Sequence, residues 1–244
     1  MFESQYHQEI LHVLDCLDSE IFLEVGAFFG GGTLITLLYE EYRLSKDVDF
    51  ICPVGPGYKR LRKLVFEHNF KPSVLFADTT SLDFPRDLVA NHYGVRFLVV
   101  SNGTPIKFEI VAEARIHLEP PEERDWLRVP CLSSVDRYAE KLLANADRWA
   151  DSSIESRDLI DLAVLRLHGE QSELAISKAE EAYPVLEPLR KSLEKFQGSR
   201  EYRDKCFSAL EIRDRCLVIN GIDLLAGDLG LEKTTRSPEE AGKG

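Results

Sequence analysis

Strand-like and helix-like sequence are separated along this chain, and the change falls near residue 132. Before it, short apolar runs, amphipathic stretches and turn residues alternate, which is typical of strands mixed with helices. After it, helical periodicity continues to about residue 231. We therefore predict an α+β protein with a mixed α/β domain over 1–131 and a helical domain over 132–231. The segment 232–244 has no apolar anchor, and we predict a disordered tail there.

The first domain contains one strong hairpin signal. Asn102-Gly103 is typical of two-residue hairpin turns and lies between β-rich runs in residues 95–114. The other predicted elements are a helix over 3–17, a strand in IFLEVGAF (21–28), a buried helix over 33–42, a strand in DVDFICP (47–53) and an amphipathic helix over 57–69.

Two acidic residues interrupt the apolar run of the strand predicted at 47–53. Asp47 and Asp49 are two positions apart, so both side chains project from the same face of a strand. The second hairpin strand has the same design, with Glu109 opposite an apolar face. If the two strands are neighbours, the three carboxylates converge. Such a group can hold two divalent cations about 4 Å apart for phosphoryl or nucleotidyl transfer, and hard oxygen ligands favour Mg²⁺.

A structural explanation of the two aspartates is also open. Asp47 and Asp49 could lie at the edge of a sheet and pair with Arg43 and Lys46. Asp83 or Glu113 could replace Glu109 as the third ligand, although neither lies in the motif strand.

Three glycines lead directly into the helix predicted from residue 33. Gly30 to Gly32 allow close approach of the backbone to a ligand, and Thr33 begins a helix whose free N–H groups attract phosphate. No Gly-Lys-Ser/Thr follows, so this is not a P-loop. The alternative is a tight strand-to-helix turn, which needs glycine without any ligand.

These segments together resemble the signature of AbiEii/AbiGii-type nucleotidyltransferases, the toxins of type IV toxin–antitoxin systems. In that family Gly-Gly-Thr/Ser is followed by Arg-x-Ser-x-Asp-Ile/Val-Asp-Phe. The matching positions are Gly31, Gly32, Thr33, Arg43, Ser45, Asp47, Val48, Asp49 and Phe50. Glu109 in IKFEI resembles the third acidic position, and later blocks match at Lys141, Arg148, Arg157, Asp158 and Asp161. The chain departs from the family in an additional glycine and in Leu34, where alanine is common.

The resemblance implies the polymerase-β-like fold, in which a mixed β-sheet flanked by helices forms an N-terminal nucleotidyltransferase domain. It implies an NTP as substrate and two Mg²⁺ ions during catalysis, with Asp47, Asp49 and Glu109 as the catalytic and metal-binding residues. The nucleotide-binding residues that it implies are Gly31, Gly32, Thr33, Arg43, Ser45, Lys141, Arg148 and Asp158. The implied partners are an acceptor, with the 3′ end of tRNA first, and an antitoxin encoded nearby.

The residues of the later blocks can also be interpreted from their spacing, without the family. Lys141 and Arg148 are seven positions apart and share one face of the helix predicted at 133–149. They could bind a triphosphate, or they could belong to a solvated helix face. Asp158 and Asp161 could position these cations across a helical hairpin, or pair locally with Arg157.

Charge and cysteine content limit the function classes. The net charge of −12 argues against a protein that coats polyanions generally, although it permits a local basic patch. Five scattered cysteines without a C-x-x-C pair indicate a reducing compartment. The N-terminus does not resemble a signal peptide, and the longest uncharged run, Val25 to Tyr39, is too short to span a bilayer. We predict a cytoplasmic protein without a membrane partner.

Three functions are compatible with these residues. The leading hypothesis is a Mg²⁺-dependent transferase that moves an NMP from an NTP to an acceptor hydroxyl. The second is nucleotidylation of a small molecule such as an aminoglycoside. The third is a non-catalytic module that binds a nucleotide or a partner, which would not need to keep Asp47, Asp49 and Glu109 together.

Overall fold

The computed structural model describes residues 2–241 and contains a mixed eight-stranded sheet flanked by helices, followed by helices alone. The predicted fold class is therefore confirmed. By internal contacts the chain forms two compact units. The first holds residues up to Leu37 together with Ser45–Ser133, and the second holds Leu38–Leu44 and the residues from Ser134 onward.

The sheet belongs to the first unit, and its strands are connected by helices and turns. In chain order the elements of this part are α1 Gln5–Asp15, α2 Ser19–Val25, β1 Phe28–Gly30, α3 Gly31–Leu38, β2 Asp47–Pro53, α4 Pro56–Glu67, a 3₁₀ helix Pro72–Leu75, β3 Leu82–Asp83, β4 Val89–Ala90, β5 Gly94–Ser101, β6 Thr104–Glu113, β7 Glu122–Arg124 and β8 Leu127–Cys131.

The strand order is β3-β5-β6-β2-β1-β8-β7, with β4 paired to β5. The strand β2 runs parallel to β6 and antiparallel to β1. One sheet face is apolar because alternate residues of β2, β6 and β5 are large and buried. Phe50, Phe108 and Phe97 form a row of stacked rings on it, with centroids 5.4 and 4.6 Å apart. The opposite face of the same strands is left for polar residues.

The predicted hairpin is present in β5 and β6. Asn102 and Gly103 have φ of +47° and +79°, as the two-residue turn of such a hairpin requires. Every residue from Gly94 to Ser101 has a register partner in β6, so the turn fixes which residues of β6 share a face.

The strand predicted in IFLEVGAF is wrong, because most of this segment is the helix α2. The side chain of Asp18 accepts a hydrogen bond from the N–H of Glu20 at the helix start, and Gly26 ends the helix with φ +70°. Phe22 and Val25 are buried while Leu23 is exposed, which is helical spacing. Only Phe28–Gly30 form the strand β1.

The second unit is helical, as the sequence predicts. Its helices are α5 Ser134–Arg148, a 3₁₀ helix Ser152–Ile154, α6 Arg157–Leu167, α7 Glu173–Ala182, α8 Leu186–Gly198, α9 Arg200–Ala209 and α10 Arg215–Asp228. The helices α6 and α10 approach closely at Gly221, where an added Cβ would lie 2.2 Å from the carbonyl oxygen of Ala163.

The short segment Leu38–Leu44 joins this helical unit through backbone hydrogen bonds. The N–H of Leu44 donates to the carbonyl of Leu210, and the N–H of Arg213 donates to the carbonyl of Tyr42, both at 3.0 Å. No local pattern predicts that this segment belongs to the helical unit, because the backbone contacts join residues far apart in the chain.

The prediction of a disordered tail is wrong for residues 232–241. Glu240 is fully buried and forms two hydrogen bonds with the buried Arg203, at 2.7 and 3.1 Å. The N–H of Thr234 donates to Asp223 at 2.8 Å. Polar and ionic contacts anchor this segment, so its lack of apolar residues was misleading. Residues 242–244, also covered by that prediction, lie outside the described residues.

None of the five cysteines forms a disulfide bond in the part of the chain that the structure describes. Among the helices within residues 2–241, none combines the length and apolar character needed to cross a bilayer.

Candidate active site

The polar face of the central strands holds the predicted carboxylates. Asp49 on β2 and Glu109 on β6 are register partners, so their side chains project side by side from one sheet face. Asp47 is the partner of Lys107 on the same face. The three carboxylates are partly exposed, whereas Phe50 on the opposite face of β2 is fully buried. The condition for convergence of these carboxylates, that the two strands are neighbours, is therefore met.

The glycine turn packs directly against Asp49. Gly30 is the register partner of Asp49 across β1 and β2. Gly31 has φ +67°, and a Cβ at this position would lie 2.5 Å from Oδ2 of Asp49. Only glycine fits both the left-handed backbone and the contact. The turn and the carboxylate, which the sequence treated as two separate motifs, therefore meet within one unit.

Thr33 links the start of α3 to the start of β2. Its hydroxyl is buried and donates to the carbonyl of Asp47 at 2.5 Å, while the Ser45 hydroxyl lies 2.8 Å away as the partner for its lone pairs. With its hydroxyl used in this way, Thr33 can offer a ligand only backbone groups. The first turn of α3 also contains Gly32. Free N–H groups in a helix's first turn are an anion-binding device.

His7 supports this corner of the site, and the sequence analysis assigned it no role. It is almost fully buried on α1 and accepts a hydrogen bond from the N–H of Ser45 through Nε2 at 3.2 Å. The usable signal would have been a histidine on the buried side of an amphipathic helix, which needs a polar partner.

Glu109 pairs with an arginine of the neighbouring strand. The Nε atom of Arg96, its register partner on β5, lies 2.5 Å from Oε1 of Glu109. Among the described residues, no group of three histidine, cysteine or acidic side chains is arranged to hold a metal ion. The donor chemistry suits Mg²⁺ because carboxylate oxygens at Asp47, Asp49 and Glu109 are its preferred ligands. Full coordination by Glu109 requires a change of its Arg96 contact.

The other candidate third ligands are less suitable. Glu113 is 2% exposed and is held by Arg115 at 2.6 Å, at the far end of β6. Asp83 lies on β3 at the edge of the sheet, beyond β5.

Arg43 is the centre of a buried polar group in the helical unit. It forms a two-pronged contact with Asp161, with Nε to Oδ1 at 2.7 Å and NH2 to Oδ2 at 3.0 Å. The hydroxyl of Tyr42 donates to the same carboxylate at 2.5 Å. Burial disfavours the charge of Arg43, but Asp161 outweighs this effect and the pKa of Arg43 is raised. The alternative that Arg43 pairs with Asp47 and Asp49 is therefore wrong.

Lys141 and Arg148 converge on α6, the helix that supplies Asp158 and Asp161. Lys141 Nζ lies 2.6 Å from Asp161 and 3.0 Å from Asp158. Arg148 Nε lies 2.6 Å from Asp158. Lys141 is 7% exposed, so the reading of its helix face as solvated is wrong. The two aspartates position the cations across the α5–α6 pair, as one sequence alternative held, while Arg157 opens α6.

The aspartates of this group remain ionised. Burial raises the pKa of both carboxyls, but Lys141 and Arg148 outweigh this effect for Asp158, and Arg43 and Lys141 do so for Asp161. Both pKa values are lowered as a result. Three cations of this group contact two carboxylates, and the most accessible cation is Arg148 at 36% side-chain exposure. Lysine and arginine side chains can bind phosphate.

A mixed sheet that presents carboxylates beside a glycine turn has the features expected of a nucleotidyltransferase. The model of the family described as "Nucleotidyl transferase AbiEii toxin, Type IV TA system" matches residues 12–208, and the chain belongs to this family. It is thus an enzyme of the nucleotidyltransferase class from a toxin–antitoxin family. No functionally curated protein matches it significantly.

Three solved structures are similar to the chain. JHP933 from Helicobacter pylori matches over 94% of this chain and 93% of its own, with 16% identity and a TM-score of 0.50. A second H. pylori protein, provisionally named a nucleotidyltransferase, covers 93% and 96% with 17% identity and a TM-score of 0.49. An antigenic nucleotidyltransferase-like protein from Paracoccidioides brasiliensis covers 86% and 95%, with 14% identity and a TM-score of 0.44. At 16% identity, the likeness to JHP933 concerns the fold alone.

Proposed function

We propose that this protein transfers an NMP from an NTP to an acceptor hydroxyl in a Mg²⁺-dependent reaction. The observation that carries the proposal is the placement of Asp49 between Glu109 on one side and the Gly31 turn on the other. This placement supports the proposal because carboxylates that suit Mg²⁺ lie next to backbone N–H groups that suit phosphate. A non-catalytic module would have no need for this combination.

The carboxylates would hold the metal. Asp47 and Asp49 would each contribute to two Mg²⁺ ions, and Glu109 would bind the ion on the acceptor side. When bound, the ions neutralise charge on the reacting phosphate and lower the pKa of the acceptor hydroxyl. Gly31 leaves room for the carboxylate of Asp49, and the Thr33 hydroxyl donates to the backbone carbonyl of Asp47. A defined backbone here would favour orientation of the acceptor against the α-phosphorus.

Each unit, taken by itself, offers positive groups that suit the phosphates of an NTP. In the first unit these are the backbone N–H groups of Gly31, Gly32 and Thr33, with Ser45 supporting the turn. In the second unit they are Lys141 and Arg148. We assign supporting roles to Arg43 and Asp158, because Arg43 is occupied by Asp161 and Asp158 orients both cations.

The biological role follows from the family and is part of the proposal. The protein would act in the cytoplasm as the toxin of a bacterial two-gene system, opposed by an antitoxin encoded nearby. The 3′ end of tRNA is the acceptor we propose, since it offers a free hydroxyl at the end of a flexible single strand.

The direct test is incorporation of label. The purified protein would be incubated with total tRNA and each α-labelled ribonucleoside triphosphate in turn, in Mg²⁺ or in EDTA. We expect label in tRNA from at least one NTP, with release of pyrophosphate, in Mg²⁺ alone. If no NTP labels tRNA or any other RNA, the proposed acceptor is wrong. Pyrophosphate release with a small hydroxylated acceptor instead would move the function to small-molecule nucleotidylation.

A further inference from the structure

Two cations lie on the carboxylate face, on the side away from the glycine turn. The register places Lys107 of β6 beside Asp47 of β2, and Arg96 of β5 beside Glu109. Strands are about 4.8 Å apart, so Lys107 is one strand and Arg96 is two strands from the β2 carboxylates. The polar face therefore ends in positive charge on its β6–β5 side.

The strand order places the glycine turn and the two cations on opposite sides of the β2 carboxylates. In the sequence of neighbours β5-β6-β2-β1, the glycine turn follows β1, whereas Lys107 and Arg96 lie on β6 and β5. Under the proposed function, the NTP phosphates lie against the glycine turn. Glu109, on the opposite side of β2, faces the acceptor. Lys107 and Arg96 are thus neighbours of the acceptor rather than of the NTP.

Neither cation has a structural task that explains its position. Lys107 is exposed and forms no ion pair with any residue in the described range 2–241. Arg96 is 49% exposed and its pair with the 33%-exposed Glu109 lies at the surface. Surface pairs of this kind contribute little to folding, so the contact can be exchanged for another anion at small cost.

We propose that Lys107 and Arg96 bind backbone phosphates of the acceptor strand next to its terminal hydroxyl. This inference rests on the proposed function and assigns two residues to the acceptor. A polycationic small molecule such as an aminoglycoside would meet like charge at these two positions. An RNA strand leading its terminal hydroxyl to Glu109 would instead place its preceding phosphates over β6 and β5.

The salt dependence of RNA binding tests these phosphate contacts without catalysis. A fluorescent single-stranded RNA would be titrated with protein in Mg²⁺ without NTP, across a range of salt concentrations. Each phosphate contact contributes about 0.7 to the slope of log K against log salt for single strands. We expect Lys107→Ala to reduce the slope by about 0.7, and Arg96→Ala/Lys107→Ala by about 1.4. Lys59→Ala, an exposed lysine on α4, is the matched control and should bind as the wild type does.

The outcomes separate this inference from the function on which it rests. Wild-type slopes in Lys107→Ala and in the double variant, or no RNA binding by the wild type, would overturn the inference. Label transfer to tRNA is measured in parallel. Transfer with unchanged slopes would support the proposed function and refute the role of Lys107 and Arg96. Altered slopes without transfer would support RNA binding and refute the proposed reaction.

Discussion

Gly31 is the residue on which the geometry of the carboxylate face depends most directly. Its backbone is left-handed, and a Cβ would meet Oδ2 of Asp49. Gly103 provides a matched control, since it has φ +79° with nothing within 4 Å of an added Cβ. The two positions therefore share the conformational cost of alanine and differ in the clash.

We predict that Gly103→Ala loses about 1–2 kcal/mol of unfolding free energy, the cost of a left-handed alanine, and retains transfer activity. Gly31→Ala should lose more stability and also lose activity, because Asp49 must move. Urea unfolding and label incorporation measure the two effects. Equal losses in both variants would show that Asp49 does not depend on the turn.

Asp161 is the residue that holds the buried Arg43, and its contribution can be compared with that of an exposed pair. Asp228 pairs with Arg166 at 2.7 Å with both side chains near 29% exposure, whereas Asp161 is fully buried. We expect Asp161→Ala to cost about 3–5 kcal/mol, since it leaves a buried charge unpaired. Asp228→Ala should cost about 0–1 kcal/mol. Comparable unfolding free energies for the two variants would contradict the buried network.

Among the secondary-structure elements, the sequence predicted those that have a clear local pattern, such as a turn dipeptide or polar–apolar alternation. The hairpin β5–β6 follows from Asn102-Gly103, and the polar and apolar faces of β2 and β6 follow from alternation. The helix α2 was missed because its seven residues are too few for a clear period, although Asp18 and Gly26 are capping residues. For a helix this short, the capping residues are a stronger signal than apolar periodicity.

The contact between α5 and α6 can be tested at Lys141. Lys141→Ala should weaken NTP binding about ten- to hundredfold if the ammonium contacts phosphate. Because Lys141 is buried between Asp158 and Asp161, the variant should also lose about 1–3 kcal/mol of stability. Lys205→Ala, an exposed lysine on α9, should change neither quantity. Unchanged NTP affinity in Lys141→Ala, measured by calorimetry, would leave the lysine a structural role only.

For the whole molecule, acid should destabilise the helical unit through Asp158 and Asp161. Their pKa values are lowered in the folded state, so their stabilisation is complete above the ordinary value of 3.8 and is lost as pH falls below it. We expect the unfolding free energy to be nearly constant from about pH 7 to 5 and to fall below about pH 4. Asp158→Asn should be less stable at neutral pH and fall less steeply in acid. Parallel curves for the two proteins would exclude the contribution of Asp158.

The parts of the molecule that the sequence did not predict are those set by distant partners. The order of the strands and the parallel pairing of β2 with β6 depend on connections that local patterns do not specify. The buried Arg203–Glu240 pair and the Arg43–Asp161 pair are likewise polar contacts over long separations. Apolar periodicity cannot detect such contacts, so the sequence predicted a disordered tail and did not predict the pairing of Arg43 with Asp161.

The central claim is that the carboxylate face of β2 and β6 catalyses nucleotidyl transfer. Asp49→Asn removes a metal ligand while keeping the shape of the side chain, and Asp15→Asn, at an exposed position of α1, is the control. Both variants would be assayed with labelled NTP, Mg²⁺ and tRNA, alongside their melting temperatures. We predict wild-type melting for both, full activity for Asp15→Asn and no detectable transfer by Asp49→Asn. Transfer by Asp49→Asn at the wild-type rate would contradict the account.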